Sequence, residues 1–169
     1  MLTIGFLACW TVLTSLAGPI DGPRKTAGHL YRIVVDRKLT GLPNKNDMQE
    51  LAPYLSNSLK ALFELASKKQ SQHMRENPGD KPPWADGCLF SCLFEGPVRF
   101  QIARVERSGR YALVAVKQAG EGQSEFGWVD TVVLLMENEK WVVWDIRMGC
   151  DWPFRMGPTL RSMLQSGLE

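Results

Sequence analysis

The spacing of the hydrophobic residues changes halfway along the chain. Between Leu59 and Ala66 the apolar side chains recur at helical spacing. Between Val98 and Ile102 they alternate with polar side chains, which is the pattern of a strand with one buried face. A helix gathers apolar residues on one side when they recur every three or four positions, and a strand does so when they alternate. The sequence therefore predicts helices in the first half and strands in the second.

Three helices are predicted before residue 78. The first spans residues 24–40 and ends at the run Gly41–Asn44, which is rich in turn-forming residues. Asp47 is the expected N-cap of a short second helix that ends at Leu55, with Glu50 completing a capping box. Asn57 or Ser56 is expected to cap the third helix.

Four strands are predicted after residue 97. They are expected at residues 98–103, 111–117, 128–136 and 141–147, and a last helix is expected at residues 158–165. The run Thr131–Met136 is apolar on both faces, which indicates a central strand of the sheet. The predicted fold class is therefore α+β, with the N-terminal helices packed on one face of a four-stranded antiparallel sheet.

The N-terminal segment has the pattern of an export signal. No charged residue occurs from Leu2 to Ala17, and Ser15 and Ala17 place small residues where a signal peptidase cleaves. As a helix these 16 residues would rise only about 24 Å, which is short for a membrane span. The sequence predicts a signal peptide at residues 1–17, a single domain at residues 18–169 and a periplasmic or secreted location. A retained anchor and a lipoprotein acylated at Cys9 remain alternatives.

Composition and motifs exclude several function classes. The chain has 169 residues and a formal net charge of +2, which is too small a basic excess for nucleic-acid binding. The chain contains no phosphate-binding, dinucleotide-binding, hydrolase or calcium-loop motif, so no cofactor is expected. No metal site is expected either, because neither His29 nor His73 has the spacing of a zinc ligand.

The cysteines leave three alternatives open. Removal of Cys9 with the signal peptide would leave Cys88, Cys92 and Cys150, an odd number in an oxidising compartment. Cys88 and Cys92 are too close in sequence for an unstrained bridge to each other. A disulfide from either one to Cys150 is one interpretation, three buried thiols are a second, and a catalytic or metal-binding cysteine is a third.

Residues 78–96 are too long for a simple linker, and they carry aromatic side chains that must be buried. The chain is similar to an uncharacterised group of exported bacterial proteins. The similarity lies in this segment, in the run Leu51–Ser56 and in the strands Trp128–Leu134 and Trp141–Ile146. That group resembles the NTF2-like (cystatin-superfold) proteins, near the DUF3828 type. The three cysteines after residue 80 depart from the pattern of these relatives.

The resemblance implies a curved sheet that wraps the helices into a cone, with a pocket between the first helices and the concave face of the sheet. The candidate pocket residues are aromatic or charged and lie in the long segment, on the strands or in the tail: Trp84, Asp86, Arg99, Trp128, Asp130, Asp145 and Trp152. A carboxylate inside an apolar strand needs a partner when it is buried. Asp130 is thus either a general base or the partner of Arg99, Arg147 or a backbone turn.

Three function hypotheses follow. The first is non-enzymatic binding of a small apolar ligand or of another envelope protein. The second is an immunity-type protein that neutralises a toxin. The third is a small hydrolase, dehydratase or isomerase that uses Asp130 or Asp145. The sequence also leaves open a homodimer formed through an exposed sheet face by Met136, Trp141 and Val143.

Overall fold

Residues 21–150 and 157–169 are described by the structure, which is a computed structural model. They confirm the α+β class, with helices that precede an open four-stranded antiparallel sheet. The predicted signal peptide and the candidate Trp152 lie outside the described residues. Among the described residues, no helix combines the length and the apolarity that a bilayer-spanning segment needs.

The first helix, α1 (Asp21–Asp36), ends before the predicted boundary. Lys38 has a positive φ of 48° and so leaves the right-handed helical conformation. The backbone N–H of Leu39 then donates to the carbonyl of Val34 at 3.1 Å, which closes the helix end. Glycine is the usual residue at this position, so a lysine there gave no signal of the end.

The predicted N-cap of the second helix is wrong, and that of the third is confirmed. The second helix, α2 (Lys45–Leu51), is capped by Asn44, whose side chain accepts from the backbone N–H groups of Asn46 and Asp47. Asp47 takes the reciprocal position of the capping box instead. A 3-10 turn at Ala52–Tyr54 follows. In α3 (Asn57–Glu76), the hydroxyl of Ser56 accepts from the backbone N–H of Leu59 at 3.2 Å.

The sheet is a meander in which each strand pairs with the next along the chain. Its strands are β1 (Arg99–Ser108), β2 (Tyr111–Ala119), β3 (Trp128–Glu137) and β4 (Lys140–Arg147). The sheet order β1-β2-β3-β4 places β3 in the interior, as its apolar run predicts. The last helix, α4 (Leu160–Ser166), packs against α3 and β4.

The core lies between the helices and one face of the sheet. The helices contribute Leu30, Tyr31, Leu59 and Phe63, and the sheet contributes Val114, Val116, Val132, Leu134 and Ile146. Trp141 and Val143 belong to the same core, so the expectation that they lie on an exposed sheet face is wrong. At one end of the sheet the inner face changes from apolar to polar. There Gln118 on β2 and Asp130 on β3 are both fully buried.

Candidate functional site

A cavity of about 1130 Å³ opens at the polar end of the sheet. Its wall is built from the end of α1, the long segment that precedes β1, the loop after β2 and the first residue of β3. Met148 and Met163 contribute from the C-terminal part of the chain. Ligand sites in proteins commonly measure about 300–1,000 Å³, so this cavity is large enough for a drug-sized molecule.

The long segment forms one wall because two of its aromatic residues, Trp84 and Phe90, are anchored in the core. Phe90 is fully buried and stacks on Phe63, with ring centroids 5.7 Å apart. The backbone N–H of Gly41 donates to the carbonyl of Gly87 at 2.7 Å, which holds the segment against the end of α1. The segment is therefore folded against the core, but Phe94 is about half-exposed, so the prediction that all its aromatic side chains are buried is wrong for that residue.

The inner wall of the cavity is mainly apolar, and its polar groups already have partners. Leu39, Leu93 and Met163 are nearly fully buried wall residues. The hydroxyl of Ser91 donates to the side-chain carbonyl of Gln118 at 2.5 Å and accepts from the backbone N–H of Leu93 at 3.0 Å. The charged wall residues Lys38, Glu95 and Glu121 are exposed and lie at the solvent side.

A buried carboxylate lies in the layer beneath this wall. One oxygen of Asp130 accepts from the backbone N–H of Gly149 at 2.8 Å. The other accepts from the backbone N–H of Cys92 at 3.0 Å and from the side-chain amide of Gln118 at 2.6 Å. Both oxygens are thus occupied by donors from three separate parts of the chain. The backbone donors lie in two distant segments, so the predicted pairing with a backbone turn is right in using backbone groups and wrong in placing them in one turn.

A tyrosine extends the network toward α1. The hydroxyl of Tyr31 donates to the backbone carbonyl of Phe90 at 3.0 Å and accepts from the Gln118 amide at 3.3 Å. Burial raises the pKa of Tyr31 above its usual range, so the phenol stays neutral and serves as a structural donor. Side chains alternate between the two faces of β2, so Gln118 lies on the same inner face as Val114 and Val116. The same alternation, read from the sequence, could have identified Gln118 as a polar residue on the buried face.

Burial also governs the ionisation of Asp130. Desolvation raises its pKa, and the hydrogen bonds from Gly149, Cys92 and Gln118 lower it without cancelling that effect. The folded-state pKa therefore lies above the unfolded-state value. The folded protein therefore favours the protonated, neutral form of Asp130. The stability that this preference contributes is fully present below the unfolded-state pKa and is lost as pH rises through the folded-state pKa.

The pH dependence of stability should report this carboxyl. We expect the free energy of unfolding of the unmodified protein, relative to Asp130→Asn, to fall as pH rises from about 4, the usual pKa of an Asp. Urea unfolding of both proteins at a series of pH values measures this difference. If the free energy of unfolding of the unmodified protein instead rises with pH relative to that of Asp130→Asn, the hydrogen bonds outweigh desolvation at this site.

The structure places the other candidate residues in different surroundings. Trp128 is half-buried in the cavity wall. Trp84 is buried against α4, where its indole N–H donates to the carbonyl of Met163 at 2.8 Å. Asp86 is exposed and paired with Lys81. Arg99 donates to the carbonyls of the loop after β2 and lies over the ring of Phe126.

Asp145 holds the start of the last helix. One of its oxygens accepts from the backbone N–H groups of Ile146 at 2.8 Å and Arg161 at 3.0 Å. The side chain is buried, and Arg161 lies in the first turn of α4. A carboxylate at that end of a helix stabilises it by satisfying an otherwise unpaired N–H group.

The cysteines near the cavity carry thiols in this structure. Burial raises the pKa of Cys88 to about 12 and that of Cys92 further above its usual range. Neither group is therefore ionised enough at neutral pH to act as an activated nucleophile. In the part of the chain that the structure describes, no three His, Cys, Asp or Glu side chains come together as a metal site would require.

Comparisons of the chain with protein-family models, with curated proteins and with solved structures give no match.

Proposed function

We propose that this protein binds a small apolar ligand in the cavity at the polar end of the sheet, without chemical transformation of that ligand. The observation that carries the proposal is the cavity itself, about 1130 Å³ in volume and bordered by buried apolar side chains. Sites for small molecules are concave and largely apolar, with a few polar groups that orient the ligand.

The distribution of polar groups favours an amphipathic ligand. Ser91 makes its hydrogen bonds with the protein, so it adds little polarity to the inner wall. Lys38, Glu95 and Glu121 lie on the exposed side. A ligand with an apolar body would bury that body between Leu39, Leu93 and Met163 and keep a polar group in water.

The position of the cavity agrees with an NTF2-like fold, which we include in the proposal. Three helices precede the meander, and the wall combines the end of α1 with the first residue of β3. The resemblance implies a pocket between the first helices and the concave face of the sheet, and the end of α1 and the start of β3 belong to those elements, although the long segment supplies most of the wall.

The arrangement of the carboxylates supports binding without catalysis. Asp130 is fully buried beneath the wall, and both of its oxygens accept hydrogen bonds. Asp145 is buried at the start of α4. A general base must reach the proton that it removes, and neither side chain belongs to the wall of the cavity.

Titration with the fluorescent probe anilinonaphthalene sulfonate tests the proposal. We expect this amphipathic probe, an apolar ring system with a sulfonate, to bind saturably at one site with a dissociation constant on the order of 1–100 μM. The variant Val35→Trp adds volume to the wall at the end of α1 and should weaken binding at least about tenfold.

The matched control is Leu65→Trp, because Leu65 lies on the exposed side of α3 and is half-exposed to solvent. This variant should bind the probe as the unmodified protein does. Circular dichroism of both variants should show an intact fold. Equal binding by all three proteins, or no saturable binding by the unmodified protein, would contradict a ligand site in the cavity.

A further inference from the structure

Asp130 joins two chain segments that each carry a cysteine. One of its oxygens accepts from the backbone N–H of Cys92, in the long segment before β1. The other accepts from the backbone N–H of Gly149, the residue before Cys150. The carboxylate thus fixes the backbone next to both cysteines, although they are 58 positions apart in sequence.

The two cysteines are in direct contact. Sγ of Cys150 lies 3.5 Å from the backbone carbonyl oxygen of Cys92, and the two thiols are hydrogen-bonded to each other. Cys92 also borders the cavity, which gives a small oxidant a route to its sulfur. Two side chains in this position need little movement before their sulfur atoms can bond.

A glycine makes this approach possible. A Cβ atom on residue 149 would lie 1.7 Å from the backbone carbonyl oxygen of Val129. Only glycine therefore lets the segment after β4 run against β3 closely enough to reach Asp130. The third cysteine, Cys88, interacts instead with the backbone of its own loop, at Phe90 and Ser91.

We propose that Cys92 and Cys150 form a disulfide under oxidising conditions, and that Asp130 is the positioning residue for this bond. The small fraction of one cysteine of the pair that is ionised attacks a disulfide-containing oxidant as a thiolate, slowly because burial disfavours the charge, and releases one thiol from it. The second thiolate then attacks the mixed disulfide and releases the other. One sulfur–sulfur bond forms in the protein as one is reduced in the oxidant, and the two protein protons leave with the released thiols. Cys88 keeps its thiol.

Mapping the bond by mass spectrometry tests the pairing. The full chain, purified with reductant, is incubated with oxidised glutathione, unfolded, alkylated and digested. We expect a peptide pair linked through Cys92 and Cys150, together with alkylated Cys88. The variant Cys88→Ser should give the same linkage. A bond that includes Cys88, stable glutathione adducts without an internal bond, or no loss of thiols would overturn the proposal.

The role of Asp130 is tested in a glutathione redox buffer. There the fraction of Cys92–Cys150 bond at equilibrium gives the effective concentration of one thiol at the other. Asp130→Asn exchanges an acceptor oxygen for an amide and should lower this effective concentration about tenfold, the loss of one charge-assisted hydrogen bond.

Asp145→Asn is the matched control, because Asp145 is also a buried carboxylate that accepts from two backbone N–H groups. It should leave the effective concentration unchanged. The same fall in both variants would mean that Asp130 contributes only general stability.

Discussion

Replacing Asp130 by alanine is expected to lower the free energy of unfolding by about 3–5 kcal/mol. The substitution leaves three N–H groups without their acceptor: the backbone N–H groups of Cys92 and Gly149 and one N–H of the Gln118 amide, whose nitrogen also donates to Tyr31. The acceptor is fully buried, so water cannot replace it without rearrangement. Urea denaturation of the reduced protein at neutral pH measures the loss.

Asp130→Asn serves as the comparison because it keeps one acceptor oxygen and nearly the same volume. We expect it to lose less stability than the alanine variant. If both variants unfold at the same urea concentration as the unmodified protein, the network does not hold the cavity wall to the sheet.

Replacing Trp84 by alanine should cost a similar amount, about 3–5 kcal/mol, for loss of a buried aromatic ring. The ring packs so closely on the end of α4 that a Cβ atom on Gly167 would lie 2.3 Å from it. The indole N–H also donates to the carbonyl of Met163. Trp84 therefore links the long segment to α4, whose Met163 belongs to the cavity wall.

The variant Trp84→Phe separates the two contributions. It removes the hydrogen bond but keeps most of the ring, so we expect a loss of about 1–2 kcal/mol. Thermal unfolding followed by circular dichroism measures the melting temperature. We expect it to be highest for the unmodified protein, lower for the phenylalanine variant and lowest for the alanine variant. An alanine variant as stable as the unmodified protein would show that the segment is held without this contact.

The fold follows from the sequence wherever one face of an element is buried. The apolar stripe from Leu59 to Ala66 fits only a helix, and the alternation of Phe100 and Ile102, which are partly buried against the core, fits only a strand; Val98, before that strand, is exposed. Local signals were weaker at helix ends. Asn44 and Asp47 are both good capping residues, and only the structure shows that Asn44 is the cap.

The site was less predictable because its key contacts join residues distant in sequence. The sequence identified Asp130 as a buried carboxylate that needs partners, yet two of its three donors are backbone groups that any residue could supply. Because every residue except proline carries a backbone N–H, the residue types at these positions do not reveal the donors. The close approach at Gly149 likewise depends on the path of the chain past Val129.

Ligand binding in the cavity is tested most directly by mapping the probe with amide NMR on the isotopically labelled full chain. We predict that anilinonaphthalene sulfonate shifts the amide signals of wall residues such as Val35, Leu93 and Trp128 in a saturable manner. The signals of Leu65 and Met74, which are exposed on α3, should stay in place. Shifts at α3 with none in the wall, or no saturable shifts, would contradict the proposed function.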